Sequence, residues 1–136
     1  MTDKTKYWLD KQDRYHRKNG PAIIKPNGNE FWFKHGKLHR LDGPAIITEL
    51  EQNWYYYGKL HRRDAPAVNV ENEITEWWKY GLLHCEIGPA VDPVKGIPEW
   101  YINGIKLSFI EWKEWFHKYY KGEITSKITY NILKYN

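Results

Sequence analysis

Apolar positions along this chain fall into two kinds of cluster that alternate. One kind is aromatic: "FWFKH", "WYYY", "WWKY" and "WYIN", beginning at Phe31, Trp54, Trp77 and Trp100. The other is aliphatic and opens on alanine: "AIIT", "AVNV" and "AVDP", beginning at Ala45, Ala67 and Ala90. Polar or glycine-rich links such as "PNGNE" and "ENEIT" separate them. Short β-branched and aromatic runs bounded by turn residues predict strands, so each unit reads as two short strands. Asn27-Gly28 is a hairpin turn signal.

The clusters recur at a fixed step. His16, His39, His61 and His84 are 23, 22 and 23 residues apart, and Pro21, Pro44, Pro66 and Pro89 keep the same steps. Trp32, Trp54, Trp77 and Trp100 step by 22, 23 and 23, with Gly36, Gly58, Gly81 and Gly104 four residues behind each. A period of this length marks a repeat architecture. Hairpin after hairpin predicts an antiparallel meander that grows in one direction.

Side chains alternate across a strand. Trp32, Trp54, Trp77 and Trp100 therefore share one face, and Phe33, Tyr55, Trp78 and Tyr101 the other. Ile23, Ile46, Val68 and Val91 form a matched apolar row; Ile24, Ile47, Asn69 and Asp92 form a mixed one. Between the strands lies a corner, "KLHRLDGPA" at 37–45 and "KLHRRDAPA" at 59–67, with weaker copies at 14–22 and 82–90. Proline suits the first residue of a strand, and Asp or Asn before Gly suits a turn. Ala65 replaces the corner glycine in the third copy, so either the turn needs no positive φ or Ala65 is strained.

The pattern changes after Leu107. Ser108 stands where the next histidine would fall, and Ser108 with Glu111 makes a capping box. Phe109, Trp112, Phe116 and Tyr119 then share one helical face, with Gly122 as the stop. Such a helix would close the open end of the sheet. Ile124, Ile128, Ile132 and Tyr135 follow at helical steps and predict a second short helix. The expectation is one mainly β domain over 1–136: hairpin repeats at 7–107 in one elongated twisted antiparallel sheet, with a helical cap and tail at 108–136.

Eight tryptophans and eleven tyrosines in 136 residues suit aromatic-faced strands better than a helical bundle. The net charge of +4 sits at the ends: residues 1–20 and 106–136 are each +3, and 21–105 is −2. That distribution weighs against a phosphate-tracking groove in the repeats. A lone cysteine, Cys85, points to a reducing compartment. No apolar run nears the roughly 20 residues that span a bilayer, and "MTDKTKYW" has no leader-like segment. A cytoplasmic protein is expected, in the host cytoplasm if viral.

The segments "HGKLHRLDGPAI" (35–46), "YGKLHRRDAPAV" (57–68), "NGPAI" (19–23) and "WYING" (100–104) resemble the MORN repeats. They are most similar to the "NGKLHREDGPA" repeat proteins of tailed phages and giant viruses. The likeness covers about residues 7–107. It implies a single-layer sheet of hairpins serving as a binding or scaffolding module, with membrane association or dimerisation in some members. The Pro-Ala corner and His-Arg pair depart from the usual MORN pattern, so phosphoinositide binding does not carry over.

Candidate chemistry gathers at the corner. Equivalent residues of successive hairpins lie two strands apart, about 9–10 Å, so the histidines cannot share one metal ion. Adjacent residues of an extended segment point apart, which separates Cys85 from His84 as a nucleophile and base. Cys85 in an arginine position suggests a tolerant surface slot. No phosphate loop, catalytic carboxylate pair or metal cluster is visible, and no enzyme activity or cofactor is expected. Arg40 with Asp42 and Arg62 with Asp64 suit local ion pairs of little energetic weight. The candidate partner-binding set is His16, Arg17, His39, Arg40, His61 and Arg62. To it the aromatic row adds Tyr55, Tyr57, Trp78, Tyr80 and Tyr101. Two functions stay open. One is a non-enzymatic module engaging a protein, such as a viral accessory protein acting on a host factor. The other is an anion reader for a nucleotide, nucleic acid or acidic membrane surface. Exposed sheet edges also allow a homodimer.

Overall fold

The aliphatic pairs and the polar links build a long sheet. The computed structural model describes residues 4–136; Met1, Thr2 and Asp3, which the expected domain includes, lie outside the described residues. Eight antiparallel strands follow one another in chain order: Lys6–Tyr7, Ile23–Ile24, Glu30–Phe31, Ile46–Ile47, Glu51–Asn53, Val68–Val70, Ile74–Glu76 and Val91–Pro93. The register aligns Ile23, Phe31, Ile46, Asn53, Val68, Glu76 and Val91 across the sheet. The expected apolar row is therefore a real cross-strand row. Its mixed neighbour runs through Ile24, Glu30, Ile47, Gln52, Asn69, Thr75 and Asp92.

The first three aromatic clusters do not form single strands, whereas the fourth does, as Trp100–Ile102. Trp32, Trp54 and Trp77 each donate their backbone N–H to Ala45, Ala67 or Ala90 at 2.7 Å, and there the chain leaves the long sheet. It enters a separate two-stranded hairpin: Phe33–Lys34 with Lys37–Leu38, Tyr55–Tyr56 with Lys59–Leu60, Trp78–Lys79 with Leu82–Leu83, and Trp100–Ile102 with Ile105–Leu107. Each hairpin turns on two residues with positive φ: His35-Gly36, Tyr57-Gly58, Tyr80-Gly81 and Asn103-Gly104. Two-residue turns of this hand match the twist of the flanking strands. The glycine is thus the second half of a tight turn, and only Asn103-Gly104 shows the Asn-Gly signal that sequence reasoning seeks.

Ala22, Ala45, Ala67 and Ala90 are fully buried where long sheet and hairpin row meet. In a close-packed interior a larger side chain at these positions would have to displace its neighbours.

The end of the array is helical. Helix α1 (Phe109–Tyr119) starts at Ser108, whose hydroxyl accepts from the Glu111 N–H while the Glu111 carboxylate accepts from the Ser108 N–H. Trp112 and Phe116 are buried against Trp100, Ile102 and Ile128. Two expectations change here. Tyr119 is exposed and Tyr120 packs against the core instead. The helix also ends before Gly122, since the Tyr120 N–H makes the last helical bond, to Phe116. Helix α2 (Ser126–Tyr135), capped by Thr125, buries Ile128 and leaves Ile124 exposed outside it. Both helices pack on the last hairpin and the fourth corner. The last long-sheet strand, Val91–Pro93, gains only a bridge from Val91 to Glu99 on its outer side. No helix among the described residues is long and apolar enough to cross a membrane.

Candidate functional site

The corner residues form two rows that repeat along the array. The first row is histidine. The Nδ1 atoms of His16, His39, His61 and His84 accept from the backbone N–H of His35, Tyr57, Tyr80 and Asn103 at 3.1, 3.0, 3.1 and 2.9 Å. Each acceptor lies one repeat before its donor, and each donor is the positive-φ residue of a hairpin turn. The histidine therefore holds the next repeat's turn in its left-handed conformation. Rings reinforce the bond: His16 on His35, His39 on Tyr57 and His61 on Tyr80 stack at 4.0, 4.0 and 3.9 Å between centroids. An Nδ1 that accepts this bond carries no proton, so the bond selects the tautomer with the ring proton on Nε2. Burial lowers the pKa of His39, aided by Lys34, and that of His61, aided by Lys79. Burial also lowers that of His84, although Glu86 at 3.5 Å opposes the shift.

The second row is arginine on tryptophan. The guanidinium carbons of Arg17, Arg40 and Arg62 lie 3.9, 3.8 and 4.0 Å from the ring centroids of Trp8, Trp32 and Trp54. Each also donates Nη1–H to the carbonyl of Pro21, Pro44 or Pro66 at 3.2 Å. A stacked cation at a partly desolvated site contributes about 1–2 kcal/mol. Arg40 forms the expected pair with Asp42, Nε to Oδ1 at 3.1 Å. Among the described residues Arg62 makes no such pair with Asp64. Trp8 was missed by sequence reasoning, because its distance to His16 is one residue longer than in later units.

The corner glycine is explained by the arginine. Gly20, Gly43 and Gly88 do not have positive φ, so the turn does not demand glycine. A Cβ at Gly43 would instead lie 2.6 Å from the Arg40 guanidinium carbon, and one at Gly20 2.8 Å from that of Arg17. Ala65 is accommodated with Arg62 in the same stack, but without the second bond that Arg40 makes to its aspartate.

Cys85 corrects an expectation. It is 2% exposed, not a surface slot, and burial pushes its thiol up to about 12. A thiol so shielded is a poor nucleophile. Helix α2 takes the place of the missing arginine: Lys127 reaches over Trp77, and Asn131 donates to the Ile87 carbonyl at 2.9 Å. Trp112 donates to the Cys85 carbonyl at 3.1 Å.

The aromatic row divides. Tyr57 and Tyr80 are turn residues stacked on His39 and His61. Tyr55 and Trp78 line clefts beside the corners, and the Trp78 indole donates to Glu76 at 2.7 Å. The Tyr101 hydroxyl donates to Glu99 at 3.4 Å. Tyr57 and Tyr80 thus belong to the turns, and Tyr55, Trp78 and Tyr101 to the hairpin strands.

Three clefts of about 580, 480 and 550 Å³ open between successive corners. They are built alike. Arg17 and Arg40 flank the first over Trp32, Arg40 and Arg62 the second over Trp54, and Arg62 the third over Trp77. Tyr120 of the cap borders the third. Exposed Lys18 and Arg63 stand at their rims and make no hydrogen bond or ion pair among the described residues.

Charge is sorted between the two sides. The corner and hairpin segments (14–22, 32–45, 54–67 and 77–90) hold ten Lys/Arg and three Asp/Glu, net +7. The long-sheet segments (23–31, 46–53, 68–76 and 91–99) hold two Lys and eight Asp/Glu, net −6. Summing residues 21–105 to −2 hid this division, and with it Arg63; Lys18 was counted with the basic N-terminal stretch. No family model, curated protein or solved structure matches the chain.

Proposed function

We propose that the chain is a non-enzymatic binding module of the MORN-like repeat kind, and that it engages a protein partner along the row of clefts. The kinship rests on the quoted motifs, as does a viral accessory role against a host factor. One observation carries the binding reading: three like-built clefts repeat at the period of the array on its basic, aromatic-lined side. Basic and aromatic residues in register are typical anchors of interfaces. The residues that could otherwise suggest catalysis are engaged in the fold, the histidines as acceptors and the arginines in stacks. The net +7 of this side also favours the second reading, an anion reader for nucleic acid, nucleotide or acidic lipid.

Capture from host lysate separates the two, with Lys18→Glu/Arg63→Glu as the control bait. The expected result is a protein held by the original chain and lost on charge reversal. Recovery of nucleic acid alone, or of proteins indifferent to the reversal, overturns the protein reading.

A further inference from the structure

We infer that the occupant of the cleft row is an acidic, proline-rich segment in the polyproline II conformation, carrying a carboxylate at every third residue. The inference rests on the cleft row being a protein-binding surface and names the chemistry of its partner. Three arguments support it.

The first is spacing. Equivalent corner positions lie two long-sheet strands apart, since Ile24 and Ile47 flank Glu30 in adjacent pairs. Two inter-strand steps make about 9.5 Å. A polyproline II chain rises about 3.1 Å per residue with three residues per turn. Its residues i, i+3 and i+6 therefore face one way at about 9.3 Å intervals, in step with the arginines. A β-strand faces the same way only every second residue, about 6.7 Å apart, and falls out of step after one cleft.

Charge supplies the second argument. Arg17, Arg40 and Arg62 are pre-positioned by their tryptophans and proline carbonyls, so little side-chain freedom is lost on binding. Each guanidinium has five N–H donors, of which the fold uses one or two. The Asp42 carboxylate, 85% exposed, already sits on the Arg40 Nε and shows how an incoming carboxylate is received. Arg62 carries no such internal carboxylate, and Lys18 and Arg63 add unpaired cations at the rims.

The third argument is the lining. Trp32, Trp54 and Trp77 recur in the clefts, with Tyr55 and Trp78 beside them. Rigid proline-rich chains dock on aromatic-lined grooves because their backbone is already extended and loses little entropy.

The test measures fluorescence anisotropy of labelled peptides with the full chain. One probe has five Glu and ten Pro with Glu at every third position; a second has the same composition with Glu at irregular spacing; a third probe is a fifteen-residue oligothymidylate. The regular peptide is expected to bind at least tenfold more tightly than the irregular one. Lys18→Glu/Arg63→Glu, at exposed sites, is expected to weaken it at least tenfold without a change in melting temperature. Equal affinity for the two peptides, or binding of neither, overturns the spacing rule. The protein reading then stands or falls separately, on whether lysate capture is lost on charge reversal. Oligothymidylate binding more tightly than either peptide overturns both.

Discussion

The second and fourth corners share a backbone path and differ in what covers it. In the second, Arg40 lies on Trp32 and donates to the Pro44 carbonyl. In the fourth, Cys85 leaves that place empty of its own side chain. Helix α2 fills it with Lys127 over Trp77 and Asn131 on the Ile87 carbonyl, while Trp112 takes the Cys85 carbonyl. Each time a cation covers the tryptophan and a side chain donates to a corner carbonyl, but the carbonyl differs: Pro44 in the second corner, Ile87 and Cys85 in the fourth. An interior repeat does this with one residue of its own, whereas the last repeat borrows a helix from far along the chain. The arginine row is thus first a cover, and only its remaining donors are available to a ligand.

Substitution can break this equivalence at either end. The largest effect is expected from Trp112→Ala, which empties a fully buried site in the cap core. It should cost about 3–5 kcal/mol in urea unfolding, and native Cys85 should become reactive to Ellman's reagent. A loss under about 1 kcal/mol would mean that α1 does not hold the fourth corner. Next comes Cys85→Arg, the reciprocal exchange. Helix α2 already occupies the space, so the arginine should cost about 2–4 kcal/mol through overpacking and charge burial rather than improve the corner.

Arg40→Ala should cost about 1–2 kcal/mol by uncovering Trp32 and orphaning the Pro44 carbonyl. Arg40→Lys should recover only part of this, because an ammonium cannot stack as a planar group. A double-mutant cycle with Trp32 measures the shared portion. Smallest is the glycine contrast: Gly43→Ala should cost about 1 kcal/mol, and Ala65→Gly about half that. Equal costs by thermal unfolding would show that the arginine does not select the glycine.

Acid should act on the histidine row. The pKa values of His39, His61 and His84 are lowered in the folded chain. The unfolded chain therefore binds more protons as pH falls below about 6.5, and stability falls with it through that window. Above that pH the contribution is fully present. His39→Asn places an acceptor near the Nδ1 position without a titrating ring, so its melting temperature should depend less on pH between 5 and 7 (about one unit either side of 6) than that of the original chain. An unchanged pH dependence would show that this ring does not couple protonation to folding.

Much of the fold was legible because the period of the chain is the period of the sheet. The row through Ile23, Ile46, Val68 and Val91 and the Ser108 cap follow from local pattern alone. The split of the first three aromatic clusters at Trp32, Trp54 and Trp77 was not legible. It depends on a positive-φ turn at Tyr57 or Tyr80, where a bulky residue is disfavoured unless something beyond the repeat holds it. That holder is a histidine 18 or 19 residues earlier, a relation no local window contains. Similarly, Cys85 is buried where the helical cap meets the fourth corner, with the Trp112 indole 27 residues on donating to its carbonyl, and its own neighbours give no sign of it. The candidate site was named through its arginines and histidines. Of its unpaired cations, Lys18 and Arg63, the second became visible only once charge was divided by side.

The histidine clasp also sets the length of the array. Each interior unit supplies an acceptor forward and receives one from behind, so a unit duplicated in the interior would meet matching partners on both sides. Duplication after Leu107 would not, because Ser108 carries no ring to receive the next turn and starts a helix instead. Inserting a whole unit in the middle would therefore lengthen the array, and removing one would shorten it, without altering either end.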